Sequence, residues 1–377
     1  MPVQGAPRRK VGLIVNPIAG IGGRVGLKGS DGLEIQRLAV SLGATPEAGE
    51  RARAALVPLL PLAADLELLA APAEMGEDAA REAGFGPTVI GAIRSGETTA
   101  ADTRRIAGEM RDAGVDLVLF AGGDGTARDI CDAIGSDLAA LGVAAGVKVY
   151  SAVFAVNPRS AGELAAAFLR GQAVTHAGEV LDLDEEAYRA GRVSPSLHGY
   201  LRVPFRAGSV QGGKSPSPPS ERGAAEAIAH DVVGRMVPGR WYILGPGTTT
   251  LAIADRLGFQ KTLVGVDVVT LDGLQLADAT ERQLRDVVTA HATTVIVTPI
   301  GGQGFIFGRG NPQIGPRVLE HVGRGDLLVV ATPAKLAALQ GRPLLVDTGD
   351  PVVDASLAGY LPVITGYRES TVYRVST

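Results

Sequence analysis

The sequence predicts an α/β protein of two domains: a parallel sheet with helices on its faces, followed by a second, mixed α/β domain. Three observations carry this. Short apolar runs alternate with helix-patterned segments from Val11 onward, which is the pattern of βαβ units. A glycine-rich turn, Gly122-Gly123-Asp124-Gly125-Thr126, joins one such run to a helix. The segment Lys214–Ser220, rich in proline and serine, interrupts the alternation, which resumes at Trp241.

The elements follow in order. Val11–Val15 is short, continuous and apolar and ends in Asn16-Pro17, as a strand buried on both faces does. Glycines from Gly20 to Gly32 mark a loop. Leu66–Leu69 and Thr88–Ile93 read as strands, with a short helix over Glu74–Ala83 between them. Thr99 with Asp102 forms a capping-box pattern for a helix running to about Ala113. Val115–Phe120 is the next strand, and helical character follows the glycine turn over Ala127–Ile134. Residues 206–223 read as a flexible loop, because proline, glycine and serine block helix and sheet. Ala225, Ile228, Ala229, Val232, Val233 and Met236 then share one helical face. From Trp241–Leu244 onward the expected strands are Leu263–Val269, Thr294–Val297, Asp326–Ala331 and Leu344–Asp347. The helices expected among them are Thr249–Leu257, Glu281–His291 and Lys335–Leu339.

Composition narrows the function. A chain of 377 residues has room for two domains. Hydrophobic residues make up 46% but aromatics only 4%, so the cores are expected to be built from Val, Leu, Ile and Ala. A net charge of -4 argues against broad electrostatic binding to nucleic acid or to an anionic membrane. The single cysteine, Cys131, rules out an intrachain disulfide. His176, His198, His230, His291 and His321 lack metal-ligand spacing. Arg8-Arg9-Lys10 before Val11–Val15 resembles a signal peptide only in part, since Asn16-Pro17 cuts the apolar run short. No uninterrupted apolar stretch approaches the roughly 20 residues of a membrane span. A cytoplasmic location is expected, and a homo-oligomer stays open.

The turn Gly122–Thr126 falls at the carboxyl end of a strand, where parallel sheets hold ligands, and Asn16 falls at the same end of an earlier one. Glycines let phosphate oxygens reach the main chain where a Cβ would collide. The positive end of the following helix points at the same spot. An aspartate is an unfavourable phosphate neighbour by itself. Asp124 is better read as a ligand of phosphate-bound magnesium, or as a base for an attacking hydroxyl. The alternative is a tight strand-to-helix turn with Asp124 as its cap. Thr126 can donate to a phosphate oxygen or cap the helix.

Other segments carry weaker signals. In the loop Gly20–Asp31, Lys28 can neutralise phosphate charge and Arg24 can grip it bidentately, or both are solvated surface. Gly245-Pro-Gly-Thr-Thr-Thr250 opens a helix, and Thr248–Thr250 can meet a phosphate or merely cap. Gly208–Ser215 matches the Walker A spacing, but Pro216, Pro218 and Pro219 obstruct the helix that motif needs. Lys214 is left as part of a possible lid. Cys131 reads as core, Glu163 as a helix cap, and Asp182, Asp184, Glu185 and Glu186 as solvated surface.

Gly122–Thr126 resembles the signature of the superfamily of NAD kinases, diacylglycerol and sphingosine kinases, and phosphofructokinases. Asn16-Pro17 with its trailing glycines is similar to the first-strand motif of the NAD and lipid kinases. Longer stretches, Gly22–Gly32, Ala121–Ile130, Tyr242–Thr250 and Val297–Asn311, resemble the ATP-NAD kinase-like family that includes the acetoin-catabolism X-type proteins. The resemblance implies a Rossmann-like, NAD kinase/phosphofructokinase-like sheet domain over residues 1–175. It implies a second domain over 176–377 that completes the site, with a C-terminal segment able to pack back on the first domain. Asp124 would activate the adenosine ribose 2′-hydroxyl of NAD, Gly122, Gly123, Gly125 and Thr126 would contact phosphates, and Asn16 would border the nucleotide. Gly22, Gly23 and Lys28 would add contacts from the first loop. Thr298–Gly304 resembles the family's second glycine loop, so Gly301, Gly302 and Gln303 would meet the nucleotide. Gly302 and Gln303 stand where NAD kinases carry Ser and Thr.

The implied activity is phosphoryl transfer from ATP with magnesium, most plausibly to NAD. The chain lacks the Asn-Asn-Glu motif with which NAD kinases hold the nicotinamide nucleotide. A sugar or other polyol acceptor therefore stays open, less readily a lipid, as does a non-catalytic nucleotide sensor.

Overall fold

The computed structural model describes residues 8–27, 33–145, 149–183, 195–206, 221–300 and 302–377. These fall into two compact units. Of the described residues, those up to 21, from 45 to 183 and from 195 to 206 form the first. Those from 22 to 44 and from 221 onward form the second.

The first unit is built on β1 (Arg9–Val15), β2 (Leu66–Ala70), β3 (Thr88–Val89), β4 (Leu117–Gly122), β5 (Ala139–Ala144), β6 (Val174–Leu183) and β7 (Pro195–Phe205). Their spatial order is β3-β2-β1-β4-β5-β7-β6. Strands β1 to β5 are parallel, and β6 and β7 pair antiparallel from Val174 on. After α1 (Leu33–Ser41), which belongs to the second unit, come α2 (Ala48–Leu56), α3 (Glu77–Glu82), α4 (Ala100–Asp112), α5 (Asp124–Ile134) and α6 (Pro158–Leu169).

Strands β4 and β5 are buried along their whole length and β1 from Val11 on, which is why they read as continuous apolar runs. Gly12 interrupts the run in β1 because Met110 of α4 packs flat against it: a Cβ there would lie 2.6 Å from the methionine sulfur.

Three expectations change. The third strand stops at Val89, where the chain turns off the sheet through Gly91 at φ +83°. The helix expected over Glu74–Ala83 is split by Gly76 (φ +153°) into a 3-10 turn, Ala73–Met75, and α3. Helix α5 starts at Asp124 rather than near Ala127, so Gly125 and Thr126 are helical.

The second unit is a nine-stranded mixed sheet: β8 (Trp241–Leu244), β9 (Asp267–Thr270), β10 (Gly273–Leu276), β11 (Thr293–Val297), β12 (Phe305–Phe307), β13 (Leu327–Val330), β14 (Leu344–Val346), β15 (Gly359–Gly366) and β16 (Glu369–Ser376). The order is β10-β9-β8-β11-β13-β15-β16-β14-β12. Strands β8, β11, β13 and β15 run parallel, while β9, β10 and β16 run against their neighbours β8, β9 and β15. Its later helices are α7 (Arg222–Arg235), α8 (Thr248–Leu257), α9 (Glu281–Ala290), α10 (Pro316–Val322), α11 (Pro333–Ala337) and α12 (Pro351–Leu357).

Alternation along the strands divides the core in two. Ile243, Val295, Val297 and Val329 pack with Leu284 and Val287 of α9 and Val318 of α10. Leu244, Ile296 and Val330 face the other way, toward Ile228 and Val232 of α7 and Ile253 of α8. The expected strand from Leu263 begins only at Asp267, because Lys261 and Thr262 first turn onto the Asp267 carboxylate, Lys261 also donating to the Gly265 carbonyl.

Candidate active site

In the first unit the strand order reverses between β1 and β4: the chain goes from β1 to β2 on one side, and from β4 to β5 on the other. Crevices outside the carboxyl ends of strands at such a reversal are where open α/β sheets bind ligands. Asn16 follows β1 there, and Gly122 ends β4. The Asn16 N–H donates to the Ala121 carbonyl at 2.9 Å, and its side-chain amide donates to the Thr126 hydroxyl at 3.0 Å. Asn16 thereby ties the end of β1 to the first turn of α5.

Asp124 is the first residue of α5, and no side chain caps that helix; Gly123 holds the cap position. The reading of Asp124 as a cap is therefore replaced. Its carboxylate turns to the segment after β5, accepting from the Tyr150 N–H at 2.7 Å and the Ser151 N–H at 2.9 Å. One donor on each oxygen fixes the plane of the carboxylate. Ser151, fully buried, is held in turn by the Leu181 N–H on its hydroxyl at 2.9 Å. The side chain of Asp124 remains half-buried.

The glycines of the turn differ in what demands them. A Cβ on Gly122 would lie 2.4 Å from both Cβ and Oγ1 of Thr126, so the fold itself requires glycine there. Thr126 is buried and caps nothing. Gly125 is exposed, has no left-handed φ, and a Cβ on it would meet nothing within 4 Å. Packing gives no reason for glycine at this position. By helix geometry, the N–H groups of Asp124, Gly125 and Thr126 have no partner inside α5; the first internal bond is Ala127 N–H to Gly123 O at 3.0 Å.

Asn16, Gly122, Gly123, Asp124, Gly125 and Thr126 thus come together in the first unit. Gly22, Gly23, Gly302 and Gln303 belong to the second. Gly22 and Gly23 start a tight turn closed by Leu27 N–H to Gly22 O at 2.9 Å. Arg24, read as either a phosphate grip or solvated surface, pairs with Glu281 at 3.5 Å and reaches the Thr348 carbonyl at 3.4 Å. Gln303 is buried, and the Gly302 carbonyl accepts from Arg342 at 2.9 Å. Lys28, Gly301, Asp184, Glu185, Glu186 and the Walker-like stretch Gly208–Ser215 with Lys214 lie outside the described residues.

Cys131 is half-buried with its sulfur 3.7 Å from the Tyr200 carbonyl; burial pushes its thiol up, which suits packing rather than nucleophilic attack. Glu163 caps no helix but pairs with Arg159 one turn away at 2.9 Å on an exposed surface. Sequence reasoning missed Tyr150 and Ser151, since a main-chain N–H leaves no mark on residue type.

Two family signatures match the chain. The ATP-NAD kinase N-terminal domain matches residues 11–173, and the ATP-NAD kinase C-terminal domain matches residues 238–375. The chain belongs to the ATP-NAD kinase family. The kinase class and the two-part α/β architecture expected from the sequence are borne out at this level. None of the curated proteins compared with the chain matches it. The N-terminal kinase signature takes in Asn16 and the whole Gly122–Thr126 turn; the C-terminal one takes in Gly302 and Gln303. Among the described residues of this ATP-NAD kinase family member, no helix is long and apolar enough to cross a membrane.

Proposed function

We propose that the chain transfers the γ-phosphoryl group of ATP to the 2′-hydroxyl of the adenosine ribose of NAD, giving NADP and ADP. The observation that carries this reading is Asp124, held by two main-chain donors beside the first turn of α5, in a chain matched along both halves by ATP-NAD kinase signatures. Asp124 takes the hydroxyl proton as the new O–P bond forms and the bond from Pγ to the ADP oxygen breaks. The first-turn N–H groups of α5 receive phosphate oxygens. Gly125 is compatible with that assignment, since it leaves open space for a close-approaching ligand there. Gly22, Gly23, Lys28, Gly301, Gly302 and Gln303 are proposed as further nucleotide contacts.

Magnesium fits this site as part of the substrate. Among the described residues, no group of three or more His, Cys, Asp or Glu side chains could hold a metal. Phosphate-bound magnesium asks for less, one or two carboxylates with water and phosphate completing its shell, and Asp124 can face it through that water. When bound, the ion neutralises charge on the phosphates.

The test is incubation of the purified protein with ATP, magnesium and NAD, with enzymatic detection of NADP. NADP should appear in step with ADP. ADP formation only when a polyol replaces NAD would move the activity to another acceptor. Nucleotide binding without ADP under any acceptor would make the chain a sensor.

A further inference from the structure

The main-chain donors on Asp124 belong to a segment, residues 150–155, that lies outside the seven strands of its sheet. Two strands of the first unit hold it. Gly142 of β5 donates to the Val153 carbonyl and accepts from the Ala155 N–H, each at 2.9 Å. Beyond the segment lies β6, the last strand of the sheet. There the Ala152 N–H donates to the Glu179 carbonyl at 2.8 Å, and the Leu181 N–H donates to the Ser151 hydroxyl at 2.9 Å. Gly178 permits the approach, since a Cβ on it would lie 2.8 Å from the Ala152 carbonyl oxygen.

Of these bonds only the last depends on a side chain. It is also the one beside the site, because the Ser151 N–H itself donates to the Asp124 carboxylate. Ser151 is fully buried, where a hydroxyl and an edge-strand N–H each cost stability unless they are bonded. The pairing of β6 with β7 shifts at the same point: Val180 pairs with Gly199 and Leu181 with Leu197, leaving His198 as an extra residue in β7. A bulge of this kind re-aims the side chains around it, and the His198 ring stands 2.7 Å from the carboxylate of Asp132 on α5. Helix α5 begins with Asp124. The β6–β7 pair therefore grips both the helix that carries this carboxylate and the segment that holds it.

We propose that Ser151 is a positioning residue for Asp124: its hydroxyl, anchored on the Leu181 N–H, fixes the two main-chain donors against which the carboxylate is held. The proposal rests on the kinase reading of Asp124. Without the hydroxyl the segment keeps its main-chain bonds, but the Tyr150 and Ser151 N–H groups shift and the carboxylate shifts with them. The first-turn N–H groups of α5 stay in place, so turnover falls while affinity for the nucleotides holds. A merely structural serine would lower stability and leave turnover per folded molecule unchanged.

The test measures NADP formation per folded molecule, with the folded fraction taken from urea unfolding, beside hydrogen exchange at the Tyr150 amide. Ser151→Ala should lower kcat about ten- to a hundredfold with the KM values for ATP and NAD unchanged, and speed exchange at Tyr150 about tenfold. Ser151→Thr, which keeps the oxygen, should recover most of the turnover. Leu181→Pro removes the donor at an edge-strand bulge, where proline is tolerated, and should match Ser151→Ala. The double variant should be no slower than either single one. Leu181→Pro carries the comparison if threonine does not fit the buried position. Equal kcat in wild type and Ser151→Ala overturns the inference, as does a KM that rises with the fall in kcat, an additive loss in the double variant, or a Tyr150 amide that exchanges at the wild-type rate. A wild type that makes no NADP refutes the kinase reading instead, and exchange at Tyr150 then decides whether Ser151 fixes the donors.

Discussion

The two units arrive at the same topological device and finish it with opposite chemistry. Each sheet reverses its strand order beside a glycine and a helix that starts without a side-chain cap. In the first unit the device carries the carboxylate of Asp124, held by main-chain N–H groups. In the second it carries the ammonium of Lys335, held by hydroxyls. The backbone supplies a similar joint in both cases; the side chain placed there differs in charge and in what holds it.

The largest expected effect breaks that comparison if it fails. Asp124→Asn should lower the turnover number for NADP formation by about 10²–10⁴-fold, the range for loss of a positioned base. It should also cost about 1–3 kcal/mol in urea unfolding, since an amide can accept only one of the Tyr150 and Ser151 N–H groups in this geometry. Unchanged turnover would remove the carboxylate from the chemistry and leave the first reversal point a structural joint.

Next come the two glycines of the turn. Gly122→Ala drives a Cβ into Thr126, and overpacking of this kind costs about 1–3 kcal/mol. Gly125→Ala, in open space on a helix, should leave stability equal or raise it by up to about 1 kcal/mol, while the KM for ATP rises several-fold. A KM that stays put would mean that no phosphate approaches Gly125.

The smallest effect separates the units by pH. Burial of His176 in the first unit holds its imidazole below the ordinary 6.5. The unfolded chain then binds the proton more tightly, so stability is full above that value and is lost as pH falls below it. Burial of Asp354 in the second unit raises its carboxyl above the ordinary 3.8. There the folded state holds the proton more tightly, so stability is gained as pH falls through the raised value. Native-state hydrogen exchange just below pH 6.5 should show protection falling in β4 and β5 before β11 and β13. His176→Phe should abolish the difference.

Much of this was legible in the chain. Continuous apolar runs marked β1 and β4, and Thr99 with Asp102 marked the start of α4, where the Asp102 carboxylate accepts the Thr99 N–H at 3.0 Å and the Thr99 hydroxyl at 2.9 Å. Strand β5 was not, because Ala139–Ala144 is made largely of alanine and glycine, which carry little strand preference. Its thinness has a cause in packing: a Cβ on Gly142 would lie 2.3 Å from the Phe154 ring. The start of α5 was misread because glycine disfavours helix interiors, whereas Gly125 sits in a first turn. Lys335 read as an ordinary helix residue; only the fold brings it to Thr249 and Thr298.

The segment from Gly22 to Leu27 follows β1 directly, yet it is fastened to α9, through Arg24 on Glu281 and through the Glu281 N–H on the Arg24 carbonyl at 3.1 Å. As the ribosome extrudes the protein, this early stretch gains its contact to α9 only once Glu281 itself has been made. A gene fragment encoding only the later half would therefore produce a helix start stripped of its earliest-synthesised partner.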